Sequence, residues 1–130
     1  MSEIEKQVHN KFKIFSGTLG ADKNLGPLAD EVARFVDEGK VAAKSIGVEY
    51  LESAGRLIIT LGYRDDEEYY PIKLTSVSLG KTESLSEKSD FADLEQSIAD
   101  ASAKVGNIIC HELYITEDNE FLMVFMTHQA

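Results

Sequence analysis

The sequence has no tryptophan, and only one cysteine and two prolines among its 130 residues. A lone cysteine, Cys110, cannot form an internal disulfide, and such usage is typical of a reducing compartment. Long apolar runs are also missing: the longest, 121–126, has six residues, whereas a membrane-spanning helix needs roughly 18. The first residues contain no basic segment followed by an apolar one, so no secretory signal is indicated. We therefore expect a cytoplasmic protein that does not enter a membrane.

Basic residues are scarce, because 13 Lys and Arg stand against 23 Asp and Glu and give a net charge of −10. The imbalance is uneven: residues 1–65 have nine basic and ten acidic side chains, whereas residues 66–130 have four and thirteen. Phosphate backbones and anionic lipid headgroups are bound through Lys and Arg. The charge therefore argues against nucleic acid and membrane surfaces as partners. Solubility explains the acidic second half, and a basic protein partner is the alternative explanation.

Length and composition fit one globular domain spanning residues 1–130. Apolar residues make up 43% of the chain and charged residues 28%, which are ordinary values for a soluble fold and exclude a disordered chain. A chain of this length buries about two-thirds of the surface that its unfolded form exposes. Its core therefore needs neither a metal ion nor a disulfide, and we expect no cofactor.

An internal repeat divides the domain into two halves. Residues 13–20 match residues 73–80 at Lys, Ser, Leu and Gly. Apolar positions further along also match at an offset of 63, namely Leu28, Phe35 and Ala42 with Phe91, Ile98 and Val105. The common order and nearly constant spacing of these matches predict a tandem duplication. The pseudo-repeats span 11–64 and 71–128.

Hydrophobic periodicity predicts the same element order in each half, a strand followed by a helix and a two-stranded hairpin. Pro27 suits the first turn of one helix, and Gly106 suits the C-terminal cap of the other. The fold class that follows is α+β, with an antiparallel sheet of about six strands and the two helices on one face. Residues 3–15 also fit a helix, but the repeat favours a strand over 11–19.

Motifs that carry catalysis or bind metals are absent from the sequence. A turn at 118–119 places His111 and His128 on one face of the last hairpin as diagonal neighbours. Cys110 and Glu112 then point to the other face, so no Cys/His metal site assembles. Adjacent strand residues point to opposite faces, which argues against a nucleophile formed by Cys110 and His111. We assign no metal ligand and no catalytic residue, and leave open whether the protein is an enzyme.

The apolar run 121–126 has no polar position, so both faces of that strand must be covered. The other half of the chain or a second chain can cover them, and we expect a second chain to contribute. The interface residues predicted on this basis are Phe121, Met123, Phe125 and Met126.

The function that the sequence favours is a non-enzymatic binding or assembly module, homodimeric through a sheet surface. The alternative is a small-molecule binder or an enzyme with a pocket between the two halves. The ligand-binding residues that this alternative predicts are Tyr50, Tyr63, Tyr114, His111 and His128.

Overall fold

The computed structural model describes residues 11–18, 25–82, 91–116 and 118–129. These segments contain six strands and two helices, in the order predicted for two successive β-α-β-β units. Their bounds are β1 Lys11–Gly17, α1 Pro27–Gly39, β2 Ala42–Leu51, β3 Arg56–Arg64, β4 Ile72–Lys81, α2 Ala92–Val105, β5 Ile108–Ile115 and β6 Glu120–His128. The described strand pairs are all antiparallel. The α+β fold class is therefore confirmed.

The six described strands form two sheets of three strands, ordered β1-β3-β2 and β4-β6-β5. This differs from the expected single sheet because β2 and β5 lie against each other without pairing. Each sheet has a register shift near the start of its hairpin, between Ala43 and Ser45 in β2 and between Ile108 and Cys110 in β5. The shared strand order and the matching irregularities agree with a tandem duplication, which stays a prediction.

The helix α1 lies between the two sheets, where it contacts β1 of the first and β4 of the second. Phe35 packs edge-on against Phe15 and Tyr63 of the first sheet, with ring centroids 5.7 and 5.3 Å away. Three further side chains of α1 are buried in a core that both sheets share: Leu28, Val32 and Val36. The prediction that both helices lie on one face of a single sheet is not confirmed.

The helix α2 covers the other face of the second sheet, where it contacts β4 and β6. Leu94 and Ala101 are its buried residues. Ile98 and Val105 are partly buried and pack against a smaller apolar cluster on that face. The order across the molecule is therefore first sheet, α1, second sheet, α2, and the two sheets also meet directly at β2 and β5.

The central strand β6 is buried on both of its faces. Met123 and Phe125 belong to the cluster beneath α2, whereas Leu122, Val124 and Met126 belong to the core shared with α1 and the first sheet. The chain itself therefore covers both sets of alternate residues in the apolar run 121–126.

The last hairpin differs by one residue from the predicted register, since His111 pairs with Phe125. The turn is the cause: the N–H of Thr116 donates to the carbonyl of Glu120 at 2.9 Å, which leaves three residues in the loop. The last of these, Asn119, has a φ of 62°, as is common at the end of a three-residue hairpin loop. A two-residue turn would have paired each residue of β5 with the residue one position later in β6, for example His111 with Met126.

Local signals at the element ends agree with the structure. Pro27 occupies the first turn of α1, and Gly106 follows α2 with a φ of 97° that a side chain would strain. Residues 11–17 form a strand, while residues 3–10 of the ambiguous segment lie outside the described residues.

Candidate functional site

The first sheet has one face that packs on α1 and another that is turned away from it. We call the second one the outer face. Strand alternation and register place these residues on it: Phe12, Ile14, Ser16, Ser45, Gly47, Glu49, Ile58, Thr60 and Gly62. Ile14 is 64% exposed and Phe12 is 59% exposed. Because antiparallel sheets that face water usually present polar side chains there, two large exposed apolar side chains next to each other on this face indicate a contact surface.

The outer face has a stepped shape that follows its cross-strand rows. Ile14, Thr60 and Gly47 form one row across β1, β3 and β2. Among the described residues, no heavy atom lies within 4 Å of the point where a side chain at Gly47 would begin. The neighbouring row has the same profile, with Phe12 on β1 and Ser45 on β2. In these two rows the face therefore has a ridge at Phe12 and Ile14 on β1 and a shelf at Ser45 and Gly47 on β2.

The row of Ser16, Ile58 and Glu49 on the outer face has a positive charge at its β1 end and a negative charge at its β2 end. Arg56 donates from Nε to the Ser16 hydroxyl at 3.1 Å and from Nη2 to the Ser16 carbonyl at 3.2 Å. These bonds hold the guanidinium on the β1 side of the row. Glu49 is exposed on the β2 side of the same row, since Ser16 and Glu49 both pair with Ile58.

A cleft of about 260 Å³ lies between the two halves, lined by the start of β2, the connection from β3 to β4, and the end of β6. The His128 ring faces Tyr70 edge-on with centroids 5.5 Å apart. Lys44 pairs with Glu67 at 2.5 Å, and a hydrogen bond with Glu68 raises the pKa of Tyr70. The cleft is smaller than the roughly 300–1,000 Å³ of most ligand sites, and these polar groups bond to one another.

The acidic segment 65–68 is neutralised by basic side chains of the first sheet. Arg64 holds Asp66 through two bonds of 2.8 Å, and Lys11 pairs with Asp65 at 3.3 Å. The hydrogen bond with Asp66 raises the pKa of Arg64. Within the described part of the chain, no group of three or more His, Cys, Asp or Glu is arranged to hold a metal ion.

The five predicted ligand-binding side chains are spread over the molecule. Tyr63 is half-buried beneath α1, Tyr50 packs against the edge of the shared core, and Tyr114 is 8% exposed inside it. His111 lines a groove beside α2, whereas His128 lines the cleft between the halves. The two histidines therefore lie on opposite faces of the second sheet and are not neighbours.

A groove beside α2 is another exposed apolar region of the described residues, with a volume of about 570 Å³ between α2 and β5. Leu113 is 41% exposed and Ile115 is 52% exposed on β5. The four predicted interface residues are at most 7% exposed in the single chain: Phe121, Met123, Phe125 and Met126. Their part in an interface stays a prediction. In the single chain, the accessible apolar side chains of this region are Leu113 and Ile115 on β5.

Cys110 is half-buried where β5 meets β2. The pKa of its thiol is raised to about 11, chiefly by burial and in smaller part by the Glu112 carboxylate, whereas a hydrogen bond with the backbone of Ile46 opposes the shift. The thiol is therefore protonated at neutral pH, which is the opposite of what a nucleophilic cysteine requires.

No helix within the described residues is both long enough and apolar enough to cross a membrane. Comparison of the chain with protein-family models, with curated proteins and with solved structures finds no match. The functional argument therefore rests on the surfaces described above. The outer face was not among the predicted sites, although the alternation of Phe12 and Ile14 with lysines in the sequence is its signal.

Proposed function

We propose that the protein is a non-enzymatic assembly module that forms a homodimer through the outer face of the first sheet. The observation that carries the proposal is the exposure of Ile14, 64%, on a sheet whose other face is packed. Burying a large aliphatic side chain stabilises by about 1.5–3 kcal/mol. In a symmetric contact, each of the two copies buries this side chain, so the stabilisation is gained twice.

The charge distribution supports a second copy as the partner. The outer face belongs to residues 1–65, whose nine basic and ten acidic side chains nearly cancel. Residues 66–130, with four basic and thirteen acidic side chains, would repel their counterparts in a dimer formed through the second sheet. Contact through the first sheet separates the acidic halves. The single cysteine, which has no internal disulfide partner, supports the cytoplasm as the proposed location.

Sedimentation velocity tests the proposal. The unmutated protein is expected to sediment as a dimer. Ile14→Asp is expected to dissociate the dimer, because the contact would bury a carboxylate. The monomer is expected to stay folded, because residue 14 is exposed in the single chain. Ile115→Asp is the matched control, since Ile115 is an isoleucine on an edge strand, 52% exposed, and lies outside the outer face.

Two outcomes would contradict the proposal. If the unmutated protein sediments as a monomer at high concentration, the assembly function is wrong. If Ile115→Asp dissociates a dimer that Ile14→Asp leaves intact, the dimer forms through the groove beside α2. Circular dichroism of each variant shows whether the fold is retained.

The alternative function is small-molecule binding in the cleft between the halves. It is favoured by the convergence there of His128, Tyr70 and the Lys44–Glu67 pair. Native mass spectrometry of the freshly purified protein tests it. An added mass that is lost in His128→Ala would support the cleft as a binding site, and a ligand-free protein would argue against it.

A further inference from the structure

We infer that two copies pack outer face to outer face around a two-fold axis that runs parallel to the strands of the first sheet. The inference rests on the proposed dimer and specifies its geometry. A rotation about such an axis keeps each cross-strand row at its height along the strands and exchanges the β1 side with the β2 side. The ridge of one copy then lies over the shelf of the other.

The shape of the rows favours this rotation. In the row of Ile14, Thr60 and Gly47, the rotation brings each Ile14 over the partner's open Gly47 position. In the row of Phe12, Gly62 and Ser45, the same rotation brings each Phe12 over the partner's Ser45. Packed sheets lie about 10 Å apart, and large side chains must meet small ones across that distance. Each contact occurs twice because the interface is symmetric.

The charges favour the same rotation. The bonds to Ser16 hold the Arg56 guanidinium on the β1 side of a row, and Glu49 is on the β2 side of that row. Exchanging the two sides brings the Arg56 of each copy to the Glu49 of the other. The dimer therefore gains two ion pairs, and the guanidinium, which has five N–H donors, keeps donors beyond the two that bind Ser16.

Two other packings are less complementary. A two-fold axis perpendicular to the strands places ridge on ridge and leaves a void between the two shelves. Stacking the α2 of another copy on the outer face would continue the layer order of the chain. However, the solvent side of α2 carries Glu95, Gln96 and Asp100, all exposed, and its exposed apolar residues are alanines, so it offers Ile14 less apolar contact than a second outer face does.

Charge reversal tests the inference in solution. Glu49→Arg and Arg56→Glu each turn both ion pairs into like-charge contacts, and each is expected to raise the dimer dissociation constant by about tenfold or more. An equimolar mixture of the two variants is expected to dimerise again, because every contact in the heterodimer then joins opposite charges. Glu52→Arg and Arg34→Glu are matched controls, since both residues are exposed and lie outside the outer face.

A second variant tests the shape without changing the charge. Gly47→Phe has space in the single chain, and the backbone at Gly47 lies outside the left-handed region. The variant is therefore expected to fold and to lose the dimer, because the ring occupies the position of the partner's Ile14. Circular dichroism and sedimentation separate folding from association.

The outcomes distinguish the two proposals. A monomeric unmutated protein overturns the assembly function and this geometry together. A dimer that tolerates Gly47→Phe, or whose charge-reversal variants do not restore each other in the mixture, overturns only the geometry. Restoration in the mixture, with both controls dimeric, supports it.

Discussion

Phe125 and Met126 are neighbours on β6 that point in opposite directions, and replacing each with alanine measures the two cores separately. Phe125 is 1% exposed beneath α2, and Met126 is 0% exposed in the core shared by both sheets. Because β6 is the central strand of its sheet, neighbouring strands prevent the cavity from collapsing. We expect Phe125→Ala to lower the free energy of unfolding by about 3–5 kcal/mol and Met126→Ala by about 2–5 kcal/mol.

Urea denaturation followed by circular dichroism measures this loss. For a urea m-value of about 1.5 kcal/mol/M, a loss of 3 kcal/mol lowers the midpoint by about 2 M. All variants must be compared at one protein concentration, because the midpoint of a dimer depends on it. Leu113→Ala is the control, since Leu113 is 41% exposed on the adjacent strand and its loss is expected to be under about 1 kcal/mol.

A midpoint that moves by less than about 0.5 M in either alanine variant would refute the burial of that face of β6. The same reasoning applies to aspartate at either position. Burying a carboxylate costs several kcal/mol beyond the lost packing, and a domain has only about 5–15 kcal/mol of stability. Phe125→Asp and Met126→Asp are therefore expected to unfold the protein, whereas Ile14→Asp changes its association.

Two further predictions concern single positions. Because the pKa of Cys110 is raised to about 11 from an ordinary value of about 8.5, the native thiol should react with a disulfide reagent roughly 300-fold more slowly than the urea-unfolded thiol. As the pH rises, the unfolded state loses the thiol proton before the native state does. The contribution of the protonated thiol to the free energy of unfolding is therefore complete below about pH 8.5 and is lost toward pH 11. Cys110→Ser should not show this fall in the free energy of unfolding. Gly106→Ala should cost about 1–3 kcal/mol in urea denaturation because a φ of 97° strains a side chain, whereas Gly39→Ala, at a position without positive φ, should not. Equal midpoints for the two alanine variants would contradict this account.

Local chemistry made the elements of the fold predictable. Proline at the start of α1 and glycine after α2 act within one turn of chain, and the alternation in β1 is read over a few residues. The division of six strands into two sheets depends on whether β2 and β5 pair or only pack. That choice is made by contacts between distant segments, and both arrangements have the same local pattern. Sequence periodicity therefore predicted the strands and not their distribution between sheets.

The histidines illustrate how a one-residue error propagates. A two-residue turn and a three-residue turn are both compatible with the segment 116–120, and only the second places Asn119 in the left-handed region. Since side chains alternate along a strand, the shift moves His111 to the face opposite the one expected. The predicted pair of His111 and His128 depended on the turn, which the sequence did not determine.

The candidate site was hidden for a different reason. In β1, Phe12 and Ile14 are apolar on one face and Phe15 is apolar on the other. The pattern alone does not say which face the helix covers. The apolar run in β6 predicted covered faces without naming what covers them, and in the single chain the shared core and the cluster beneath α2 bury them. Apolar residues on both faces of a strand indicate two contacts, and they do not identify the partners.

The difference between the two helices explains why the stack of layers ends where it does. At the offset of 63, the buried Val32 and Val36 of α1 correspond to Glu95 and Ala99 of α2, which are exposed. The helix between two sheets is apolar on two sides, and the terminal helix is apolar on one. Among the described layers, the end formed by α2 is thus polar, while the end formed by the first sheet is the apolar outer face. A stack with one apolar end cannot grow head to tail, but two such ends can cover each other and close the assembly as a dimer.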